Sequence, residues 1–447
     1  YFLAGRSMTG FVLGLSLAAS YISAASFVGL AGAVAASGLA VVLYAIGALV
    51  GVLLLLWLVA PRLRVLTRLN LGALTMPDYL SKRFGGKRKI LVYLSALSLL
   101  LYIFTYMSVQ LVGGARLIEL ALGLNYYTAV LLLAALTALY TVIGGLLAVS
   151  WTDTIQAVLM LFGALILMII VFHEVGDFGL ESAVEKYMEA APNGTSVDLT
   201  AVLTISEKCL THPRPDGLHI LRDPLTGLSL WLGLVLGVTG LSVWYWCTDP
   251  HILQRFLAAK NLSHVDAKAI LKGVLILTPM FIIVMPGMIS RGLFAIALAG
   301  ANPEECKRAA GTEVGCSNIA YPTLAVKLLP PGLAGLMLAV MLAAIMSTLT
   351  SQLLSSSSAF TKDLYKNIRR KASATEKELV GRSRIIVLVV ISLAILLAVQ
   401  PEQGGQVLFL VQLAFAGLAS AFLPVILLAI FWKRVNEQGA LWGMIIG

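Results

Sequence analysis

The chain has 447 residues, 59% of them hydrophobic and only 12% charged, with a mean hydropathy of +0.92 and a net charge of +10. A soluble domain carries about 25% charged residues, so this chain lacks the polar surface to cover itself in water. Apolar runs of about 20 residues, enough to cross a hydrocarbon core of about 30 Å, recur along it, and the net charge needs no nucleic-acid partner to explain it.

The first predicted span covers 11–36. Its middle, Ser20-Tyr21-Ile22-Ser23-Ala24-Ala25-Ser26-Phe27-Val28-Gly29, is small and polar, a place where a helix can open its backbone. The second span is 39–60, followed by a basic connection (Arg62, Arg64, Arg68, Lys82, Arg83, Lys87, Arg88, Lys89). The third, 90–122, carries Arg116 and Glu119 at helical spacing, so these two should pair. The fourth is 126–145 and the fifth 154–171. Asp153 opens the fifth within Ser150-Trp151-Thr152-Asp153-Thr154. It reads either as a helix cap or as a group that holds a cation.

A long connection, 173–227, follows and contains the sequon Asn193-Gly194-Thr195 and Cys209. The sixth span, 228–246, has Gly233, Gly237 and Gly240, which suit either close helix packing or a broken helix. Cys247 reads as a small buried residue, and Arg255, Lys260 and Lys268 read as a basic connection. The seventh span is 269–298, and the loop 299–321 after it holds Cys306 and Cys316, expected to pair. The eighth span, 332–358, is the most informative. Ser347, Thr348, Thr350 and Ser351 place uncharged hydroxyls in a membrane-grade segment, where they can replace part of the water shell of a small cation. Spans 385–399 and 407–432 complete ten, and 439–447 begins another.

Lys and Arg fall on alternate connections, which assigns those to the cytoplasm and the loops 173–227 and 299–321 to the outside of the cell membrane. On that topology Asn193 is a glycosylation site and the sequon at Asn261 faces inward and is unused. Five spans on each side of the large loop give two inverted repeats, 1–172 and 228–432, with 433–447 a cytoplasmic turn and the start of a further helix. Tyr1-Phe2-Leu3 reads as the middle of a pattern, and the chain is expected to extend at both ends. No phosphate-cradling Gly-Lys-Ser/Thr loop supports ATP-driven pumping. The histidines, at 173, 212, 219, 251 and 264, read as loop or span-end residues without metal-ligand spacing. The chain does not read as an enzyme, and no filter-like repeat supports a channel.

Several stretches resemble the solute:sodium symporter family, nearest its sodium/glucose cotransporter branch. They include Tyr1-Phe2-Leu3-Ala4-Gly5-Arg6-Ser7-Met8, Thr75-Met76-Pro77-Asp78-Tyr79-Leu80, Trp244-Tyr245-Trp246-Cys247-Thr248-Asp249 and Phe431-Trp432-Lys433-Arg434. The resemblance implies an all-α membrane protein of the leucine-transporter type, with ten core helices in two inverted five-helix repeats and core helices one and six broken. It implies a sodium site at Ala19, Ile22, Ala344, Ser347 and Thr348, and a second sodium at Asp153, Thr350 and Ser351 in members that use two ions. One or two sodium ions are therefore expected, and an accessory subunit is left undefined.

The substrate positions diverge from the sugar branch. Its Asn and His on helix one are Tyr21 and Ser26 here, its Glu on helix two is Ala45, and its Lys on helix seven is Ile276. The retained or substituted set is Tyr21, Ser26, Tyr44, Tyr245, Trp246 and Gln412, with Tyr245 as the inner gate. The expected function is sodium-coupled symport of a small polar solute, a sugar or polyol, by alternating access. Alternatives are a monocarboxylate or pantothenate-like acid, weakened because no buried Lys or Arg is evident, and a non-transporting scaffold or sensor that kept the fold.

Overall fold

The computed structural model describes residues 7–37, 43–65, 75–84, 89–175, 237, 239–258, 260, 282–287, 289–290, 318, 320–365, 375–400 and 407–446. These are helical: α1 (Gly10–Tyr21), α2 (Ala31–Ser37), α3 (Leu43–Leu54), α4 (Ala60–Val65), α5 (Met76–Arg83), α6 (Lys89–Leu122), α7 (Tyr126–Val175), α8 (Thr239–Thr248), α9 (Pro250–Ala258), α10 (Ala320–Leu328), α11 (Pro331–Ala359), α12 (Glu376–Ala398), α13 (Val407–Phe431) and α14 (Glu437–Ile446). Among the described residues five helices are long and apolar enough to cross a membrane, six if the bent pair Gly10–Tyr21 and Ala25–Val34 is one span. The chain is a multi-pass membrane protein. Ile143, Phe162, Leu139 and Leu396 are more than half exposed on the outside of the bundle, where lipid tails replace water.

Both expected breaks are present. The two halves of the first span meet at 49°, because Ile22 is extended (φ −77°, ψ 110°) between α1 and the wide π-helical turns of Ala25–Leu30. The second break lies at Asp249, between α8 and Pro250 at the start of α9. Pro has no N–H and fits the first turn of a new helix.

The fourth and fifth spans differ from expectation. The run Tyr126–Val175 is divided only at Gly145, which sits at φ 62°, ψ −174°. The hydroxyls of Tyr140 and Thr152 touch across this turn, whereas a straight helix would separate them by about 18 Å. The fifth helix therefore begins at Leu146, and Asp153 lies two turns inside it rather than capping it. That backbone region is essentially reserved for glycine, at about 1–3 kcal/mol for any other residue. Gly145→Ala should lower the thermal unfolding midpoint accordingly; an unchanged melt would show that the turn does not need this conformation.

Two short helices were not expected. α5 opens with Thr75, whose Oγ1 accepts from the Asp78 N–H at 3.2 Å and donates to Asp363 Oδ1 at 2.6 Å. Burial pushes the Tyr79 hydroxyl up to about 12, so it stays protonated and donates to the Ala429 carbonyl at 3.2 Å. Arg83 Nε donates to the same carbonyl at 3.1 Å. α5 is thereby latched to α13 and to the end of α11, a role its exposed-looking sequence concealed. α10 begins within the last two residues of the expected outer loop, 299–321, and packs on α11 and α6.

α11 runs through the centre, against α6, α7, α1 and α12, while α8 packs against α3 and α13. The approach of α3 to α8 is close: a Cβ on Gly51 would lie 2.7 Å from the Ser242 carbonyl oxygen. Arg116 and Glu119 pair at 2.7 Å as expected, and Cys247 is buried with its thiol toward the Gly51 carbonyl. Asn193, Asn261, Cys209, Cys306, Cys316, Ile276 and nearly all of 173–227 and 299–321 lie outside the described residues.

Candidate functional site

The break in the first helix frees backbone carbonyls, and their new partners define the site. In an unbroken helix the Ala19 and Ser20 carbonyls would accept from Ser23 and Ala24. Here the Ser23 N–H turns to Ser26 Oγ at 3.4 Å, and the Ala24 N–H donates to Gln110 Oε1 at 3.0 Å. The freed carbonyls face α11. Ser347 Oγ lies 2.9 Å from the Ala19 oxygen and 2.8 Å from the Ala344 oxygen. Thr348 Oγ1 lies 3.2 Å from the Ser20 oxygen and 3.3 Å from the Ala344 oxygen.

Ile22 is at the break itself, and the Ser26 N–H that would normally bond its carbonyl goes to Ser23 instead. All five residues of the expected sodium set are buried to 2% exposure or less. The structure brings together neutral oxygens from two helices with no fixed charge among them, a donor set suited to a monovalent cation. Gln110, fully buried on α6, was not singled out from the sequence. The signal was there: a lone amide in an apolar span is costly and marks a backbone group needing a partner.

The second set is arranged differently. Asp153 Oδ2 accepts from Ser16 Oγ at 3.0 Å and from Arg255 Nη2 at 2.8 Å. Arg255 Nη2 also reaches Ser351 Oγ at 2.5 Å, and its Nε donates to Ser16 Oγ at 2.8 Å. Thr350 bonds back to the Ser347 carbonyl at 2.9 Å. Arg255 corrects the sequence reading twice. It is no loop residue, being 1% exposed on α9, and it is the buried arginine that seemed absent. Its guanidinium stands between Asp153 and Ser351, where a second cation was expected. Four helices meet at this one side chain, whose partners lie from 96 to 239 positions away in sequence.

Above this lies a small cavity lined by Tyr21, Ser26, Tyr44, Tyr106, Tyr245 and Phe415, with Ser23 and Val411 among its other walls. It has room for about one water molecule. Tyr245 stacks on Phe415 at 5.4 Å and forms its floor. The Tyr21 hydroxyl is buried without a protein hydrogen-bond partner, an arrangement that costs free energy until something supplies one. Four expected substrate residues, Tyr21, Ser26, Tyr44 and Tyr245, meet here.

Trp246 does not. It packs behind Tyr21 at 5.0 Å and against Gly51, because neighbouring helix positions point about 100° apart and only Tyr245 faces the cavity. Gln412 lies on α13 between the lining residues Val411 and Phe415; its side chain is outside the described set.

Beneath the floor is a polar group that sequence reading placed in a loop. His251 is 1% exposed on α9. Its Nδ1 is 2.5 Å from Asp249 Oδ1 and its Nε2 is 3.3 Å from Tyr245 Oη. Among the described residues no group of three or more His, Cys, Asp or Glu side chains could hold a metal.

The whole chain, residues 1–447, matches the sodium:solute symporter family. It is similar to sodium/glucose cotransporter 1 of Ovis aries (52% identity over 447 residues, covering 100% of this chain and 66% of the relative). It is also similar to the sodium/myo-inositol cotransporter of Canis lupus familiaris (51% identity, covering 100% of this chain and 61% of the relative) and to sodium/glucose cotransporter 2 of Rattus norvegicus (52% identity, covering 100% and 65%). The chain thus spans a little under two thirds of the length of these relatives. Among solved structures it is similar to a Na+-coupled sialic acid symporter in a substrate-bound outward-open state. The TM-score is 0.72 at 20% identity, covering 100% of this chain and 84% of that one, which establishes a fold of the leucine-transporter type.

Proposed function

Since the chain belongs to the sodium:solute symporter family, we propose that it couples sodium entry to uptake of a sugar or polyol across the plasma membrane by alternating access. The observation that carries this is the meeting of the freed Ala19 and Ser20 carbonyls with the Ser347 and Thr348 hydroxyls. Sodium held there, with Ile22 and Ala344, ties the broken α1 to α11. It favours the conformation in which the cavity walls from α1, α3 and α13 are assembled. Sodium and substrate then prefer the same state, and each raises the affinity for the other. A membrane potential of about 100 mV supplies about 2.3 kcal/mol per sodium.

The neutral character of the cavity supports a neutral, hydroxyl-rich substrate. Its walls are tyrosine and serine hydroxyls, and Tyr21 Oη awaits a partner. The buried Arg255, which would otherwise favour an organic acid, is held by Asp153 below the floor. The intact carbonyl–hydroxyl set disfavours a non-transporting scaffold. The position of Arg255 between Asp153 and Ser351 supports a single sodium, and a second at Asp153, Thr350 and Ser351 would require Arg255 to swing away. Outer loops bearing a glycan on Asn193 and a Cys306–Cys316 disulfide complete the reading.

The test is uptake into proteoliposomes. Glucose or myo-inositol should accumulate against its gradient with external sodium and not with potassium; uptake of a short carboxylate alone would overturn the substrate class. Gln412→Ala should raise the half-saturating substrate concentration about fivefold, the loss of roughly one hydrogen bond of about 1 kcal/mol. An unchanged value would place the pocket elsewhere.

A further inference from the structure

His251 has no task in the sodium site or the substrate cavity, yet it is one of four charged or titratable side chains sealed in the same region. Asp153, Asp249, His251 and Arg255 are each exposed by 1% or less. Asp249 accepts from Tyr102 Oη at 2.5 Å, from the His251 N–H at 3.1 Å and faces His251 Nδ1 at 2.5 Å. Three donors around one group is the pattern of a carboxylate. Arg255 is paired with Asp153 at 2.8 Å. The region therefore holds two buried carboxylates and one guanidinium, which is paired with Asp153. An unbalanced buried charge is costly, and a proton on His251 balances it.

The surroundings of the imidazole fit a protonated ring. Nδ1 lies 2.9 Å from the side-chain amide of Gln352, whose Oε1 is buried without a partner. Turned toward Nδ1–H, that oxygen gives it a second acceptor. The groups that face His251 are Tyr102 of α6 through Asp249, Tyr245 of α8, Gln352 of α11, and Arg255 of its own helix, whose Nη1 donates to the His251 carbonyl at 3.0 Å. Asp153 of α7 stands behind Arg255.

Nε2 connects this pair to the cation site. Tyr245 Oη is 3.3 Å from Nε2 and 3.4 Å from the Ser20 carbonyl oxygen, the same oxygen that receives Thr348 Oγ1 at 3.2 Å. Tyr245 has one hydroxyl proton for two acceptors. With a neutral His251 bearing its proton on Nδ1, Nε2 accepts the Tyr245 proton and the Ser20 carbonyl is left to Thr348. With an imidazolium, Nε2–H donates to Tyr245 Oη, and the tyrosine proton turns to Ser20.

We propose that the Asp249–His251 pair is a proton-binding site linked to the sodium site through Tyr245 and the Ser20 carbonyl. The linkage is antagonistic, because sodium and the imidazolium are two cations competing for one polar region. It rests on the sodium reading above, and sodium binding should therefore expel a proton. By reciprocity acid should weaken sodium binding by the same factor.

The experiment uses the purified full chain in weakly buffered detergent with a pH-indicator dye, alongside thermal unfolding against sodium or potassium. Sodium, and not potassium, should release protons from the wild type. From about pH 7.5 to about pH 5.5 the half-stabilising sodium concentration should rise about fivefold or more. His251→Gln should still be stabilised by sodium but release no protons, with less than about a twofold pH effect on half-stabilisation.

Sodium stabilisation of the wild type without proton release would overturn the linkage and leave the sodium site standing. Equal release from the His251→Gln variant would also overturn it. Absence of any sodium stabilisation would overturn both. If His251→Gln does not fold, Asp249→Asn tests the same pair, because removing the carboxylate removes the reason for the proton and should likewise abolish release.

Discussion

Arg255→Gln should cost about 3–5 kcal/mol of stability, the range for breaking a buried ion pair by removing one partner. Most of that cost is the uncompensated carboxylate of Asp153, more than the missing hydrogen bonds of the guanidinium. Asp153 is fully buried, and one of its oxygens already lacks a partner. Without the guanidinium at 2.8 Å its other oxygen keeps only Ser16 Oγ at 3.0 Å. The double variant Asp153→Asn/Arg255→Gln should recover much of the loss, because it removes the stranded carboxylate along with its partner. Thermal unfolding of the purified protein reads both. If the double variant is as unstable as Arg255→Gln alone, the damage comes from packing and the charge account is wrong. Sodium should stabilise Arg255→Gln more than wild type, since Asp153 and Ser351 would then be open to a mobile cation. Equal stabilisation would remove Asp153 and Ser351 as the second sodium site.

Ser347→Ala and Thr348→Ala should each raise the sodium concentration for half-maximal uptake about tenfold or more. A hydrogen bond involving a charged group is worth about 1.5–3 kcal/mol, and every 1.4 kcal/mol is tenfold in affinity. The effect should fall on sodium more than on the fold. Each hydroxyl also bonds the Ala344 carbonyl within its own helix, a local bond that a helix gives up cheaply. Ser356→Ala is the internal comparison. It lies in the same helix, bonds back to the Leu353 carbonyl at 2.8 Å, and belongs to neither sodium set. It should leave half-maximal sodium within about twofold of wild type. Uptake with sodium dependence unchanged in both Ser347→Ala and Thr348→Ala would remove this site.

The parts of the protein that were legible in its sequence depend on neighbours along the chain. Apolar length marked the third helix, observed as Lys89–Leu122, and the eighth, observed as Pro331–Ala359. The small, polar middle of the first span foretold the break at Ile22, because a helix opens where side chains pack least against the preceding turn. The hydroxyl cluster at 347–351 was visible as polar atoms in a segment that should have none. Asp153 stood out for the same reason, although its place two turns into a helix did not, since that depends on a single glycine at φ 62°.

What misled was local polarity. Thr248-Asp249-Pro250-His251 reads as the end of a span, and Arg255 as a basic residue of the connection that follows. Periodicity cannot distinguish a polar loop from a broken helix whose polar side chains all find partners on other helices. Arg255 meets Asp153 from 102 positions away and Ser351 from 96, and His251 meets Gln352 from 101. Nothing near them in sequence announces those partners.

By itself, then, the sequence determined the membrane class, the break in the first helix and the oxygen chemistry of the candidate cation site, because each follows from hydrophobic transfer and backbone hydrogen bonding over a few turns; the break in core helix six was implied by the family resemblance. Only the tertiary structure decided which charges are buried together. It set a guanidinium between Asp153 and Ser351, and an imidazole between Asp249 and Tyr245. The physical reason is that low dielectric makes a buried charge depend on the atoms within a few ångströms of it, and in a bundle of crossed helices those atoms come from distant parts of the chain.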